Sequence, residues 1–453
     1  MRAGVAGRLG RRRIAVIGTG ISGLSAAWLL SQRHAVTVYE RDGRIGGHSN
    51  TVTVRGANGE IAVDTGFIVY NEATYPNLTA LFAHLGVATQ PSDMTFAVSL
   101  ADGGLEYAGN NLAGLFAQKR NLVRPRFWSM LNDLHRFYRE APRDVTLLSD
   151  LRTTLGDYLE AGAYGAAFRD DHLLPMAAAI WSAPSQAILG YPAASFIRFH
   201  ENHGLLKLRN RPQWYTVSGG SRNYVGRLAN AFADRIRVNA GAVEVRRTPA
   251  GVQVRDRSGS VEMYDDVVIA AHADQALAML NDASPDERRV LGAFRYSDNL
   301  AILHDDPALM PKRRAVWSSW NHIGCDEERK DCPTVTYWMN SLQGIPQETP
   351  LFVTLNPQRE PRGVLHTERY EHPLFDKAAI AAQRELWSLQ GRRNTWFCGS
   401  YFGAGFHEDG LQAGLAVAEA LGQVRRPWTV ENESGRIVAG PAPQPSAAAE
   451  LAA

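Results

Sequence analysis

Cysteine is scarce in this chain of 453 residues: Cys325, Cys332 and Cys398 are all there is. Three thiols cannot build a disulfide framework. Cys325 and Cys332 stand seven apart, and neither belongs to a C-x-x-C pair, which argues against a structural zinc site. Long apolar runs are missing as well. The best, Leu173 to Ala183, is broken by Pro175 and falls short of the about 18 residues of a membrane helix. The start, MRAGVAGRLGRRR, is basic but lacks the apolar block of about 7–15 residues that a secretory signal needs. These absences point to a reducing, cytoplasmic compartment. A charge excess is also missing: 48 basic against 46 acidic residues leave a net charge of +2, with no general case for nucleic acid. Nothing resembles a Ser-His-Asp arrangement or metal-ligand spacing, and there is no internal repeat.

What is present is ordinary globular material, 45% hydrophobic and 21% charged, with enough apolar residues to bury a core. At about 100–200 residues per domain the length suggests two or three domains, or one two-lobed unit. The texture divides the chain further. Residues 1–12 form a basic leader, and 13–75 open with strand, glycine turn, helix and strand. Helical patterns dominate 76–209, where Phe127, Met130, Leu131, Leu134 and Tyr138 share one stripe. Within 210–298, period-two alternation at Val243–Arg246, Gly251–Arg255 and Val261–Tyr264 predicts a β-meander. Strands and aromatics mix over 299–375. Helix, strand, glycine loop and helix return over 376–430. The Pro/Ala/Glu-rich 431–453 reads as a disordered tail.

Chemistry concentrates where glycine does. Gly18-Thr-Gly20-Ile-Ser-Gly23 lies between the apolar run Ile14–Ile17 and a helix, with Glu40 closing the next strand. Gly18 permits the tight turn, Gly20 lets backbone amides approach a pyrophosphate, and Gly23 lets helix pack on strand. The helix start supplies free N–H groups and positive partial charge for a diphosphate. Glu40 stands at the spacing of a ribose-hydroxyl acceptor. Two more features separate FAD from NAD. Arg44-Ile-Gly46-Gly47-His48 follows at once, and Cys398 to Gly410 repeats the strand, glycine loop and helix pattern near the other end. A long cofactor explains two loops: one for its ADP, the other for an isoalloxazine ring that becomes anionic on reduction. A helix start at Gly410–Leu411 suits that charge.

Gly18–Gly23, Glu40, Arg44–His48, Asp64-Thr-Gly66-Phe67 and GFHEDGLQAG from Gly405 resemble the monoamine-oxidase-like flavoprotein superfamily. DTGFIVYN (64–71), AIWSAP (179–184), FHENHGLL (199–206), SGGSRNYV (218–225), SWNH (319–322) and TYWMN (336–340) narrow the resemblance. They are similar to bacterial NAD/FAD-binding proteins of that superfamily, and to the flavoprotein half of plant cyclopropane fatty acid synthases. The resemblance covers 13–428. It implies an α/β fold with a Rossmann-like FAD-binding domain, of the amine-oxidase and glutathione-reductase-2 type, interleaved with an α+β substrate domain. It also implies an FAD-dependent oxidoreductase that dehydrogenates a fatty-acyl substrate beside a fatty-acyl methyltransferase partner. A flavin-containing amine oxidase, and a flavin-bound isomerase or non-catalytic partner, stand as alternatives.

By the same resemblance, Gly18, Gly20, Gly23, Glu40, Arg44, Gly46 and Gly47 hold the ADP half of FAD, and Ile21, Ser22, Arg41 and His48 also bind the cofactor. Where His48 stands the superfamily usually has arginine. Val243 offers backbone to adenine, and Gly399, Glu408, Gly410 and Leu411 meet the ribityl chain and ring. Glu408 as a solvated loop acid is the other reading. The aromatics Trp317, Trp320, Tyr337, Trp338, Trp396, Tyr401, Phe402 and Phe406 suggest a water-poor pocket at the flavin, or plain core. His407, His322, Tyr337, Trp338 and Trp396 are the candidates for catalysis. Lys119 to Arg143 holds seven basic and two acidic residues among aromatics. It reads either as a cap helix with a solvated basic face or as a peripheral contact with the inner face of a membrane.

Overall fold

The computed structural model describes residues 10–56, 58–148, 153–207, 210–324 and 334–440. Cys325, Cys332, most of the leader and the last part of the tail lie outside the described residues. The apolar runs read from the sequence become a five-stranded parallel sheet. Its order is Ile236–Arg237, Ala35–Tyr39, Arg13–Ile17, Asp266–Ile269 and Thr395–Phe397. Ile14, Ala15 and Val16 have no exposed surface, as expected for a strand covered on both faces. The first helix, Ile21–Ser31, leaves the central strand and is buried over Ile21–Leu30. The meander Ala242–Thr248, Gly251–Asp256 and Val261–Tyr264 forms its own antiparallel sheet.

A seven-stranded mixed sheet makes the second layer, ordered Val364–Leu374, Arg295–His304, Phe352–Leu355, Thr334–Trp338, Trp320–Ile323, Phe96–Leu100 and Leu105–Ala108. Its last two strands come from 76–209, which the sequence reading assigns to a helical cap. Phe96-Ala-Val-Ser-Leu is too short and too apolar to sit on a helix surface, and it pairs in parallel with Trp320–Ile323. The cap helices, including Pro125–Asp144, Leu174–Trp181 and Ala193–Asn202, gather around a second core of Phe137, Phe168, Phe196 and Phe199.

The tail also departs from expectation. Residues 431–440 are packed: Ile437 is buried, and the Arg436 guanidinium grips Asp409 at 2.6 Å (Nε–Oδ1). That ion pair anchors chain that composition alone marks as disordered.

The last helix, His407–Gly422, lies against the first. A side chain at Gly414 would begin 2.2 Å from the Ser22 carbonyl oxygen, so only hydrogen fits between the backbones. Gly414→Val should therefore destabilise the protein by about 3 kcal/mol or more. Gly226→Ala, where a methyl meets nothing within 4 Å, should gain about 0.5–1 kcal/mol in its helix. Thermal unfolding of the two variants against wild type checks both.

Candidate functional site

The first glycine loop lies at the carboxyl ends of the parallel strands. Gly18 has φ +103°, and a Cβ there would lie 2.6 Å from the Ala270 oxygen, while a Cβ on Gly20 would meet nothing within 4 Å. The turn is thus closed on its sheet side and open on the other. The first helix has no side-chain cap, which leaves the N–H groups around Ile21 and Ser22 for an anion. Glu40 is buried and faces the loop. It accepts from the Thr19 amide at 3.1 Å and the Asp42 amide at 2.9 Å, as well as from the Thr19 hydroxyl. Arg44 donates to the Gly47 oxygen (2.7 Å) and pairs with Glu368 (3.3 Å), clamping the Gly46–Gly47 turn over Gly20. Arg41 is exposed at the rim. Val243 sits where the meander register shifts, between the Ala242 and Glu244 pairings; its backbone has no partner residue in the ladder.

His48, Phe67, His272, His372, Phe406 and His407 are half-buried and keep accessible surface, and ring contacts gather them around one recess, the channel. Desolvation dominates there. It lowers His48, His372 and His407 to about 3 and His272 to about 4; near neutral pH all four rings are uncharged. His407 stacks on Phe67 at 3.8 Å between centroids, and its Nε2 meets the Tyr224 hydroxyl at 2.6 Å and Ser49 Oγ at 3.1 Å. The imidazole is held rather than free. His48 has ring neighbours in Tyr370, His372 and His272, and no hydrogen bond from its ring among the described residues. Phe67 and Tyr224 belong to segments quoted above for family likeness without a role. Nothing local in the sequence marks His272 or His372, which strand pairing alone brings here.

Several expected residues have packing duties of their own. The Glu408 carboxylate is fully buried and occupied by the start of the helix Pro76–Leu85, accepting from the Asn77 amide (3.1 Å), Asn77 Nδ2 (2.8 Å) and the Leu78 amide (2.9 Å). The carboxylate is not a solvated loop acid, because those amides would otherwise be orphaned. Gly410 backs onto the first helix: a Cβ there would lie 2.8 Å from Ser22 Oγ and 3.0 Å from Ile21. Its smallness serves helix packing, not room for a ring. Leu411 is fully buried beside it. Gly399 tolerates no side chain because the Tyr401 ring lies against it.

The aromatic candidates disperse. Trp396 donates to Asp266 (3.3 Å) at the amino ends of the parallel strands, inside the sheet core and away from the glycine loops. Trp338 meets Trp317 edge-on at 5.6 Å under the Arg314 guanidinium. His322 is buried on its strand, lowered to about 4 by desolvation, with Nδ1 unpartnered. Tyr337 packs on Trp320. Phe406 is the one that joins channel to cap, stacking on Phe199 at 4.9 Å.

A family model, "Flavin containing amine oxidoreductase", matches residues 21–300. The chain belongs to this family. It is an FAD-dependent oxidoreductase. The AofH protein of Mycobacterium tuberculosis, named as a flavin-containing monoamine oxidase, is 25% identical over 366 residues, covering 78% of this chain and 72% of that protein. Solved structures share the fold. A putrescine oxidase variant superposes with TM-score 0.68 at 15% identity, over 90% of this chain and 98% of the other. Cyclohexylamine oxidase from Brevibacterium oxydans gives 0.64 at 16%, over 91% and 99%. A fatty acid isomerase from P. acnes gives 0.65 at 14%, over 91% and 98%. Among the described residues no helix is long and apolar enough to cross a membrane.

The open side of Gly20, the uncapped helix and the buried Glu40 fit the diphosphate and ribose of FAD, and the neutral channel fits its ring. Glu40→Ala should weaken FAD retention by about 1.5–3 kcal/mol, the worth of a charge-assisted bond; FAD release followed by fluorescence checks it. Acid should also unfold the protein. Nine described histidines are lowered to about 3 or 4 by burial. Unfolded, they bind protons below about pH 6.5, so stability present above that value is lost as pH falls toward 4. Asp64 and Asp266, raised by desolvation to about 6, act the other way but are outnumbered. Thermal midpoints should be level from pH 8 to 7 and fall steeply below pH 6.

Proposed function

We propose that this oxidoreductase dehydrogenates an apolar substrate, a fatty-acyl chain, in the channel between Phe67 and Phe406. The observation that carries the reading is the channel's electrical neutrality. Its histidines are uncharged, and the nearby carboxylates are engaged: Glu368 by Arg44 and Asn50, Glu408 by Asn77 and Leu78, Asp409 by Arg436, while Glu371, 3.3 Å from His272, is turned toward solvent and accepts from Gln275. A protonated amine would find no free anion among these groups. An alkyl chain would meet Phe406, Phe199 and Trp181, which pack in sequence into the cap.

FAD, when bound, supplies the acceptor for a hydride from carbon. The chain's own task is to align the C–H bond, exclude water and take the accompanying proton. His48 suits the last role. Its position recommends it: the ring keeps accessible surface in the channel, and no hydrogen bond from it restrains a nitrogen lone pair. His407, held by Tyr224 and Ser49, positions the start of the last helix instead.

Anaerobic mixing of the FAD-loaded protein with oleoyl phospholipid or oleate should bleach the oxidised flavin band and yield a more unsaturated chain. Alkylamines should not bleach it; the reverse pattern would make the protein an amine oxidase, and a rearranged chain without net reduction would make it an isomerase. His48→Phe should retain FAD and slow the bleaching about 100-fold or more.

A further inference from the structure

The cap carries a surface patch that neither the fold nor the reaction requires. Leu112, Leu122, Val123 and Trp128 are 74, 52, 81 and 50% exposed. They come from two short turns and the start of the helix Pro125–Asp144, and contacts hold them together. The Trp128 indole donates to the Leu122 oxygen at 2.9 Å and lies 5.8 Å from the Phe116 ring, which ends the turn begun by Leu112. Four large apolar side chains raised side by side into water are unusual for a surface without a partner.

Cations ring the patch. Among the described residues, Lys119, Arg120 and Arg124 have no carboxylate within ion-pair distance; Arg120 donates to the Gly104 oxygen on one side, and Arg124 is pressed by desolvation and by the neighbouring charge of Arg120. Beside them lies a hollow of about 550 Å³ lined by the turn 101–104, Gln118, Lys119, Arg120 and Arg313. The acids there are already neutralised: Asp102 pairs with Lys312 at 2.7 Å, and Glu106, fully buried, pairs with Arg313 at 2.6 Å. The rest of the basic helix is different. Arg126 is bidentate to Asp171, Arg136 donates to the Gly162 and Ala163 oxygens over the Tyr164 ring, and Arg139 pairs with Glu140. Those three are cap structure, not a headgroup surface.

We infer that the protein docks on an anionic lipid bilayer through this patch, with Leu122, Val123 and Trp128 entering the interface and Lys119, Arg120 and Arg124 meeting lipid phosphates. Apolar prongs bounded by unpaired cations match the apolar interior and anionic surface of a leaflet. The inference extends the acyl-chain reading, since an enzyme on that substrate must reach a membrane, but it stands on its own observations.

Co-sedimentation of the FAD-loaded protein with vesicles tests it. Wild type should pellet with phosphatidylglycerol/phosphatidylcholine vesicles at low salt, less at high salt, and hardly with phosphatidylcholine alone. A Lys119→Gln/Arg120→Gln/Arg124→Gln variant and a Leu122→Ser/Val123→Ser variant should each bind at least tenfold more weakly with FAD content unchanged. Arg139→Gln should bind as wild type. As a check that needs no multiple substitution, brominated lipid should quench wild-type tryptophan fluorescence, and Trp128→Phe should abolish most of that quenching. Failure of wild type to pellet with anionic vesicles, pelleting of the triple and the double variant equal to wild type, or quenching that survives Trp128→Phe would overturn the inference; the first would leave a protein partner as the occupant. Docking without any acyl turnover in detergent micelles would retain the patch and remove the substrate reading.

Discussion

Everything in the site hangs on the contact between the first and last helices. Their backbones approach so closely that Gly410 and Gly414 face Ser22 and Ser25 with no room for a Cβ. That contact joins the two ends of the chain. The first helix brings the loop built around Gly18 and Gly20, and the last brings Phe406 and His407. A long cofactor needs both ends at a fixed separation, and packing without side chains between two backbones is a stiff way to set one, because there are no rotamers to adjust.

A second set of restraints ties the cap to the same helix. Glu408 and Asp409, adjacent on its first turn, face opposite duties. Glu408 takes the orphaned amides that open Pro76–Leu85, while Asp409 accepts from the Phe406 amide at 2.8 Å and holds Arg436, which in turn donates to the Thr74 oxygen at 2.8 Å. Buried ion pairs of this kind are weak evidence for stability, since desolvation offsets much of their attraction, but breaking one strands a charge. Their effect here is orientation. They fix the entry to the cap relative to the start of the last helix, and so the position of Phe406 between channel and cap. Residues 431–440 owe their packing to this network.

The parallel sheet, the meander and both glycine loops were legible because each is local: a short apolar run, a period-two alternation, or glycines at fixed spacing. Glu40 was legible for the same reason, standing one strand from its loop. What the sequence concealed depends on distant pairing. Phe96–Leu100 pairs in parallel with Trp320–Ile323, more than two hundred residues later, and no local pattern announces that partner. Glu408 illustrates the limit of motif reasoning. Its neighbours marked the loop correctly, yet its carboxylate turns toward a helix start more than three hundred residues away in sequence. Trp396 and Trp338 are candidates by residue type alone, and an aromatic in a core looks the same in sequence as an aromatic in a pocket. The histidines went the other way: only His407 and His48 stood in recognisable loops, while His272 and His372 join them through the tertiary fold.

Charge is distributed so that the interior and the rim act differently. Inside, burial strips the imidazoles of their protons and the acids are consumed by helix starts and arginines, so the channel offers polarity without charge. At the rim, Arg41 and Arg44 stand by the opening that fits a diphosphate, and Lys119, Arg120 and Arg124 stand unpaired by the apolar prongs of the cap. On the acyl-chain reading proposed above, the arrangement would sort ligands by where their charge lies. A molecule with charge along its length would lose its hydration in the channel without gaining a counterion, a cost of several kcal/mol. One with an anionic head and an uncharged chain loses nothing, provided the head stays outside.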